Sequence, residues 1–212
     1  STHYRQAPEH PFPVSHEDVF TSYKWVQQNT RSLNGDPNRI AIAGESAGGN
    51  MAAAVCMMAE QQNLPLPVHK LLIYPVSGTD MNTPSYQENA NAKPLNKAMM
   101  EWFAKHEFKN PADKEDPRIG LVDAKVSKGS PPCTIITAQI DPLRSEGQML
   151  AEHLKQSGVK VNYKNYDGVT HEFFGMGAVL DEAKAAVQLA ARDLKQSFSA
   201  AEHQPAREKQ SK

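Results

Sequence analysis

The sequence predicts an α/β fold with a doubly wound, mostly parallel sheet, and three observations carry that expectation. Short strand-length apolar runs alternate with longer segments patterned at helical spacing, which is the sign of βαβ units. Runs such as Thr134–Ala138 read as buried strands, the kind a parallel sheet covered on both faces requires. At 212 residues and 23.4 kDa the chain is long enough for one domain and short for two. Right-handed crossovers then fix the topology.

In chain order, a proline-rich opening (Ala7–Val14) leads to Ser15, which with Asp18 makes a capping-box pattern for a first helix. Val19, Phe20, Tyr23 and Val26 form that helix's apolar stripe. After the loop Asn34–Pro37, Arg39–Ala43 reads as a strand broken by Gly44. Ser46–Gln61 is helical, with Met51, Ala52, Val55, Met58 and Ala59 on one face, and Val68–Tyr74 is a second strand. Residues 76–130 are irregular except for one helix whose Leu95, Met99, Trp102 and Phe103 share a face. Thr134–Ala138 is a third strand. Ser145–Gln156 is a helix that Gly158 ends as a C-cap glycine does. Val159–Tyr166 is a fourth strand, and Ala178–Lys195 a final helix with the stripe Val179, Ala183, Val187, Ala190 and Leu194. Residues 201–212 are a polar, frayed tail.

Lys+Arg 23 against Asp+Glu 24 leaves a net charge of −1, which argues against nucleic acid or an anionic membrane as partner. No apolar run approaches the roughly 20 residues of a membrane span. No signal-peptide pattern opens the chain, so the cytoplasm is favoured and the compartment is otherwise undetermined. Cys56 and Cys133 sit in apolar segments and read as two buried thiols. No metal-ligand spacing and no phosphate-cradling loop occurs, so neither metal nor organic cofactor is expected.

Gly44-Glu45-Ser46-Ala47-Gly48 fits G-x-S-x-G, with a strand running in and an Ala-rich helix running out, the context of a nucleophile elbow. Glycines at 44 and 48 would remove Cβ atoms that collide where strand and helix approach. Ser46 is also a good helix N-cap, the competing structural role. A serine nucleophile needs a base, and His171 lies after the fourth strand and before the last helix. Asp141 follows the third strand at once and is a candidate acid. By position, Asp141-Pro142 is equally a helix N-cap pair. Glu45, Asp167 and Glu172 are weaker candidates because none ends a strand on the required side.

Gly44–Asn50 (GESAGGN), Asp141–Gly147 (DPLRSEG), His171–Phe174 (HEFF) and Tyr4–Pro13 (YRQAPEHPFP) resemble four ordered signatures of the hormone-sensitive-lipase-like esterases. The resemblance runs from about Tyr4 to Leu194. It implies an α/β-hydrolase fold and hydrolysis of short-chain carboxylic esters, with Ser46 as nucleophile, His171 as general base and acid, and Asp141 as orienting carboxylate. Two alternatives stand beside it: a catalytically silent relative acting as a binding module or non-functional fragment, and a peptidase or acyltransferase on the same fold.

The family's HGGG-type oxyanion loop precedes its YRLAPE segment, and no such loop stands before Tyr4 here. The resemblance therefore implies that the N-terminal strands are missing, with residues 1–200 a partial domain and about 76–130 its cap. Only the Ala47 N–H remains as an oxyanion donor on this reading. The first strand would then be an open edge, available to a second copy of the chain. The expected partners are a small-molecule ester and such a homo-oligomer. Met99, Trp102, Phe103, Phe173 and Phe174 are candidates for an acyl pocket, although a Met/aromatic stripe also serves simply to bury a helix.

Overall fold

Four parallel strands, β1 (Ile42–Glu45), β2 (Lys70–Ile73), β3 (Cys133–Ile140) and β4 (Val161–Thr170), lie side by side in sequence order in a computed structural model that describes residues 1–202. Consecutive parallel neighbours require a crossover each, and α2 (Ala47–Gln61) supplies the one between β1 and β2 and α5 (Arg144–Gln156) the one between β3 and β4. Both lie on one face, where Ala52, Ala53, Leu150, Ala151 and Leu154 pack on Leu72, Cys133 and Ile135. The other face is covered by α6 (Asp181–Glu202), whose Ala183, Ala186 and Ala190 meet Leu71, Ile73, Ile136 and Ala138. The central strand β2 is therefore buried along its whole length, as a strand sandwiched between helix layers must be.

A first helix, α1 (Val14–Asn29), packs Phe20 and Tyr23 onto Val55 and Ala59 of α2. Two shorter helices, α3 (Pro84–Glu88) and α4 (Lys97–Glu107), lie between β2 and β3. Among the described residues β1 pairs only with β2, so it stands at one edge of the sheet. No helix of the described residues is long and apolar enough to cross a membrane. Both cysteines are buried free thiols, and burial pushes Cys56 up to about 12 and Cys133 to about 11.

Several local expectations are corrected. Helix α1 starts at Val14 with no side-chain cap. Asp18 is instead clamped by Arg5, whose backbone N–H, Nε and Nη2 donate to both carboxylate oxygens at 2.7–2.9 Å and hold the carboxyl down to about 2. Gly44 does not break β1, which runs through it to Glu45. On α6, Val179 precedes the helix and is 79% exposed and Val187 is exposed too, while Ala186 joins the buried stripe. On α4 the inward residue is Met100, and Met99, Trp102 and Phe103 face solvent. The tail assigned to residues 201–212 begins inside α6, and its positions 203–212 lie outside the described residues.

Gly158 has the predicted place. At φ +85° it follows α5, its N–H reaching the Lys155 carbonyl and the Val159 N–H the Leu154 carbonyl. That pair of bonds closes the helix as a Schellman motif.

Candidate active site

Parallel strands present all their carboxyl ends on one side, and loops leaving that side converge. Ser46, Asp141 and His171 are the first residues after β1, β3 and β4. The structure brings the three into one hydrogen-bonded line. His171 Nδ1 lies 2.7 Å from Asp141 Oδ2, and His171 Nε2 lies 3.1 Å from Ser46 Oγ. Asp141 and His171 are buried. A carboxylate only accepts, so Nδ1 carries the proton and the Nε2 lone pair faces the serine hydroxyl. The second Asp141 oxygen accepts the Leu143 N–H at 2.9 Å. Asp141 does not cap α5, which opens after Leu143 without a side-chain cap. Of the weaker acid candidates, Glu45 accepts from the Tyr74 hydroxyl, Asp167 from Asn165, and Glu172 is exposed.

Ser46 has φ 55° and ψ −121°, a strained turn between β1 and α2. Its N–H donates to the Ile73 carbonyl, and its own carbonyl accepts from Asn50 and Val76. The turn needs glycine at 44, where a Cβ would stand 2.0 Å from the Gly48 carbonyl oxygen. The expectation for Gly48 is corrected, since a Cβ there meets nothing within 4 Å. The second crowded position is Gly49, whose Cβ would lie 2.9 Å from Pro75 Cβ. Ala47 opens α2, where first-turn N–H groups have no intrahelical acceptor and the helix end carries partial positive charge.

Sequence reasoning missed three supporting residues. Asn50 is a buried hub: its amide donates to the Val76 and Ile119 carbonyls, and its oxygen accepts from His16 Nε2 at 2.8 Å. Burial lowers the His16 pKa. Tyr74, the first residue past β2, packs on the His171 ring. Glu146, on α5, takes the N–H of Ser77 at 2.7 Å and of Gly78 at 3.4 Å on Oε1, so it straps the loop whose Val76 bonds the Ser46 carbonyl. The usable signals were the strand-end position of Tyr74 and the places of Asn50 and Glu146 inside the two quoted motifs.

Glu146 Oε2 is buried without a partner, and burial pushes this carboxyl up to about 8. The native state therefore keeps a proton that the unfolded chain has already released above pH 4.5. Stability should be fully present below that pH and fall as pH rises towards about 8, by at most roughly 5 kcal/mol at about 1.4 kcal/mol per pH unit. Glu146→Gln, which mimics the protonated form, should flatten this slope. Denaturant midpoints of both proteins from pH 4 to 9 measure it. Parallel curves would count against the assignment.

The acyl-pocket expectation is corrected for Phe173. That ring is fully buried against Tyr74, Tyr166 and the α6 alanines and offers no surface to a ligand, and Phe174 packs beside the same cluster. Among the described residues no group of three or more His, Cys, Asp or Glu side chains is placed to hold a metal ion.

Residues 1–175 match the family described as alpha/beta hydrolase fold. Ethyl acetate hydrolase of Pseudomonas putida is 33% identical over 194 residues, 91% of this chain and 61% of the relative. Carboxylesterase NlhH of Mycobacterium tuberculosis is 35% identical over 204 residues, 94% of this chain and 64% of the relative. The chain thus spans less than two thirds of the length of these curated relatives. Among solved structures, a hyperthermophilic esterase from the archaeon Pyrobaculum calidifontis superposes with a TM-score of 0.87 at 38% identity, covering 91% of this chain and 64% of that one. EstE1, a thermostable carboxylesterase from a metagenomic library, gives a TM-score of 0.88 at 35% identity, covering 95% and 68%.

Proposed function

We propose that this chain, which belongs to the alpha/beta hydrolase family, hydrolyses short-chain carboxylic esters through an acyl-enzyme formed on Ser46. The observation that carries the reading is the continuous line from Asp141 through His171 to Ser46. The ester-hydrolysing names of its relatives support it.

A serine hydroxyl is a weak nucleophile until a base takes its proton. As Ser46 Oγ attacks the ester carbonyl carbon, its proton passes to His171 Nε2. The imidazolium that forms is held in place by Asp141 through the Nδ1–H bond. The carbonyl oxygen becomes an oxyanion, and the Ala47 N–H at the start of α2 is one donor for it. Collapse of this intermediate breaks the bond to the alcohol oxygen, which takes the proton from Nε2 and leaves. Water then attacks the acyl-Ser46 carbonyl, giving its proton to His171. The second collapse frees the carboxylic acid and returns the proton to Ser46.

A fluorophosphonate tests this directly, because it phosphonylates only a serine activated by its base. The expected result is one adduct, mapped by peptide mass spectrometry to Ser46, with loss of p-nitrophenyl butyrate hydrolysis in proportion to labelling. An adduct on another serine, or hydrolysis that survives complete labelling, would overturn the reading.

A further inference from the structure

Each of the four strands delivers its next residue to the same place: Ser46, Tyr74, Asp141 and His171 follow Glu45, Ile73, Ile140 and Thr170. Three of them form the hydrogen-bonded line. The fourth, Tyr74, stands outside it and is nevertheless tightly fixed. It is 1% exposed and has φ +34°, a left-handed conformation that is strained for an aromatic residue. Its N–H donates to the Ile136 carbonyl at 2.6 Å, and its hydroxyl donates to Glu45 Oε2 at 2.6 Å. Its ring centroid lies 4.4 Å from that of His171, tilted by 50°, and 6.1 Å from that of Phe173.

We infer that Tyr74 is a positioning residue for His171, its ring backing the imidazole and its hydroxyl tying that ring, through Glu45, to the strand that carries Ser46. The inference rests on the ester-hydrolase reading above. Hydrogen bonds at Nδ1 and Nε2 hold the imidazole on the line joining its two partners only while its χ1 and χ2 keep their values. The Tyr74 ring packed against it opposes a swing of the side chain out of that line. An aromatic ring this close also attracts the imidazolium that forms when Ser46 gives up its proton. Burial and the Glu45 carboxylate push the Tyr74 hydroxyl above the usual tyrosine range, so it stays a donor throughout the working pH range. Backbone strain at Tyr74 is the local cost of turning this ring towards His171 rather than letting it follow the strand.

The test separates ring from anchor. Tyr74→Leu removes both and should lower kcat by about 10–100-fold with KM changed less than about twofold. It should also move the acid limb of the kcat/KM profile to lower pH, because the cation loses its aromatic neighbour. The carboxylates around this pair, Asp141, Glu45 and Glu172, are unchanged in that variant, so the limb reports the ring. Tyr74→Phe keeps the ring and should cost only about threefold, with the limb in place. Glu45→Ala, at an exposed residue, should cost the same, and the two together no more than either alone. That pair keeps the inference testable even where Tyr74→Leu does not fold.

A folded Tyr74→Leu enzyme with wild-type kcat and limb, or losses for Tyr74→Phe and Glu45→Ala that multiply, would overturn the positioning role. Fluorophosphonate labelling of the wild-type protein runs alongside. Absence of a Ser46 adduct there overturns the ester-hydrolase reading itself, whereas a Ser46 adduct with unaffected Tyr74 variants overturns this inference alone.

Discussion

Replacing Ser46 by alanine is expected to lower kcat for p-nitrophenyl butyrate by about 10⁴–10⁶-fold without unfolding the protein. The side chain is small, and the turn is held by backbone bonds to Ile73, Asn50 and Val76 that alanine keeps. His171→Ala should cost a similar factor. The informative measurement is the double variant. On the proposed mechanism one proton passes between Ser46 Oγ and His171 Nε2, which lie 3.1 Å apart, so neither residue would act without the other. The double variant should then be no slower than the worse single one. Losses that multiply, or a Ser46→Ala enzyme within tenfold of wild type, would mean that the proton moves elsewhere.

The second large effect is on stability. Gly44→Ala places a methyl group 2.0 Å from the Gly48 carbonyl oxygen and 2.2 Å from its carbon. Both are backbone atoms in the first turn of α2, so no rotamer change relieves the overlap and strand and helix must part. Destabilisation of more than about 3 kcal/mol is expected, a fall in Tm of roughly 6–12 °C for a domain of this size. Gly48→Ala, with open space around it, should leave stability unchanged or raise it by up to about 1 kcal/mol of helix propensity. Calorimetry on the two variants checks both. A Gly44→Ala protein melting within 2 °C of wild type would show that β1 and α2 slide apart freely.

The contrast between these glycines marks the limit of what could be read from the sequence. The elbow was legible because a strand, a turn motif and a helix follow one another within a few residues. The position of Ser46 was legible for a related reason, since it follows an apolar strand at once. Position left Asp141 equally a helix N-cap until the resemblance singled it out. The polar end of β4 (Asp167, Gly168) hid that His171 directly follows its strand. Which glycine of the motif is crowded was not legible, because Gly49 is pressed by Pro75, which belongs to another loop. The role of Tyr74 was hidden likewise, since apolarity says that a ring is buried and not what it is buried against.

Two helix faces were misread for reasons of phase and size. Helical spacing groups Leu95 with Met99, Trp102 and Phe103, but Leu95 precedes the extended N-cap Asn96, so its spacing does not carry into α4. Met100 turns inward instead. On α6 the larger residues Val179 and Val187 drew the stripe, whereas close approach of helix to sheet selects the alanines.

The residues of the site are spread widely along the chain, which bears on how the site assembles. Ser46 and His171 are 125 positions apart, and the strands lie in the sheet in the order in which they occur along the chain. A chain in which β1, β2 and β3 had paired without β4 would hold Ser46 and Asp141 in place but not His171. On the proposed mechanism the base that activates Ser46 would arrive only when the last strand docks. Contacts this distant form late and slowly. Covalent capture of Ser46 during refolding would therefore time that final docking, and the site would serve as a clock for its own assembly.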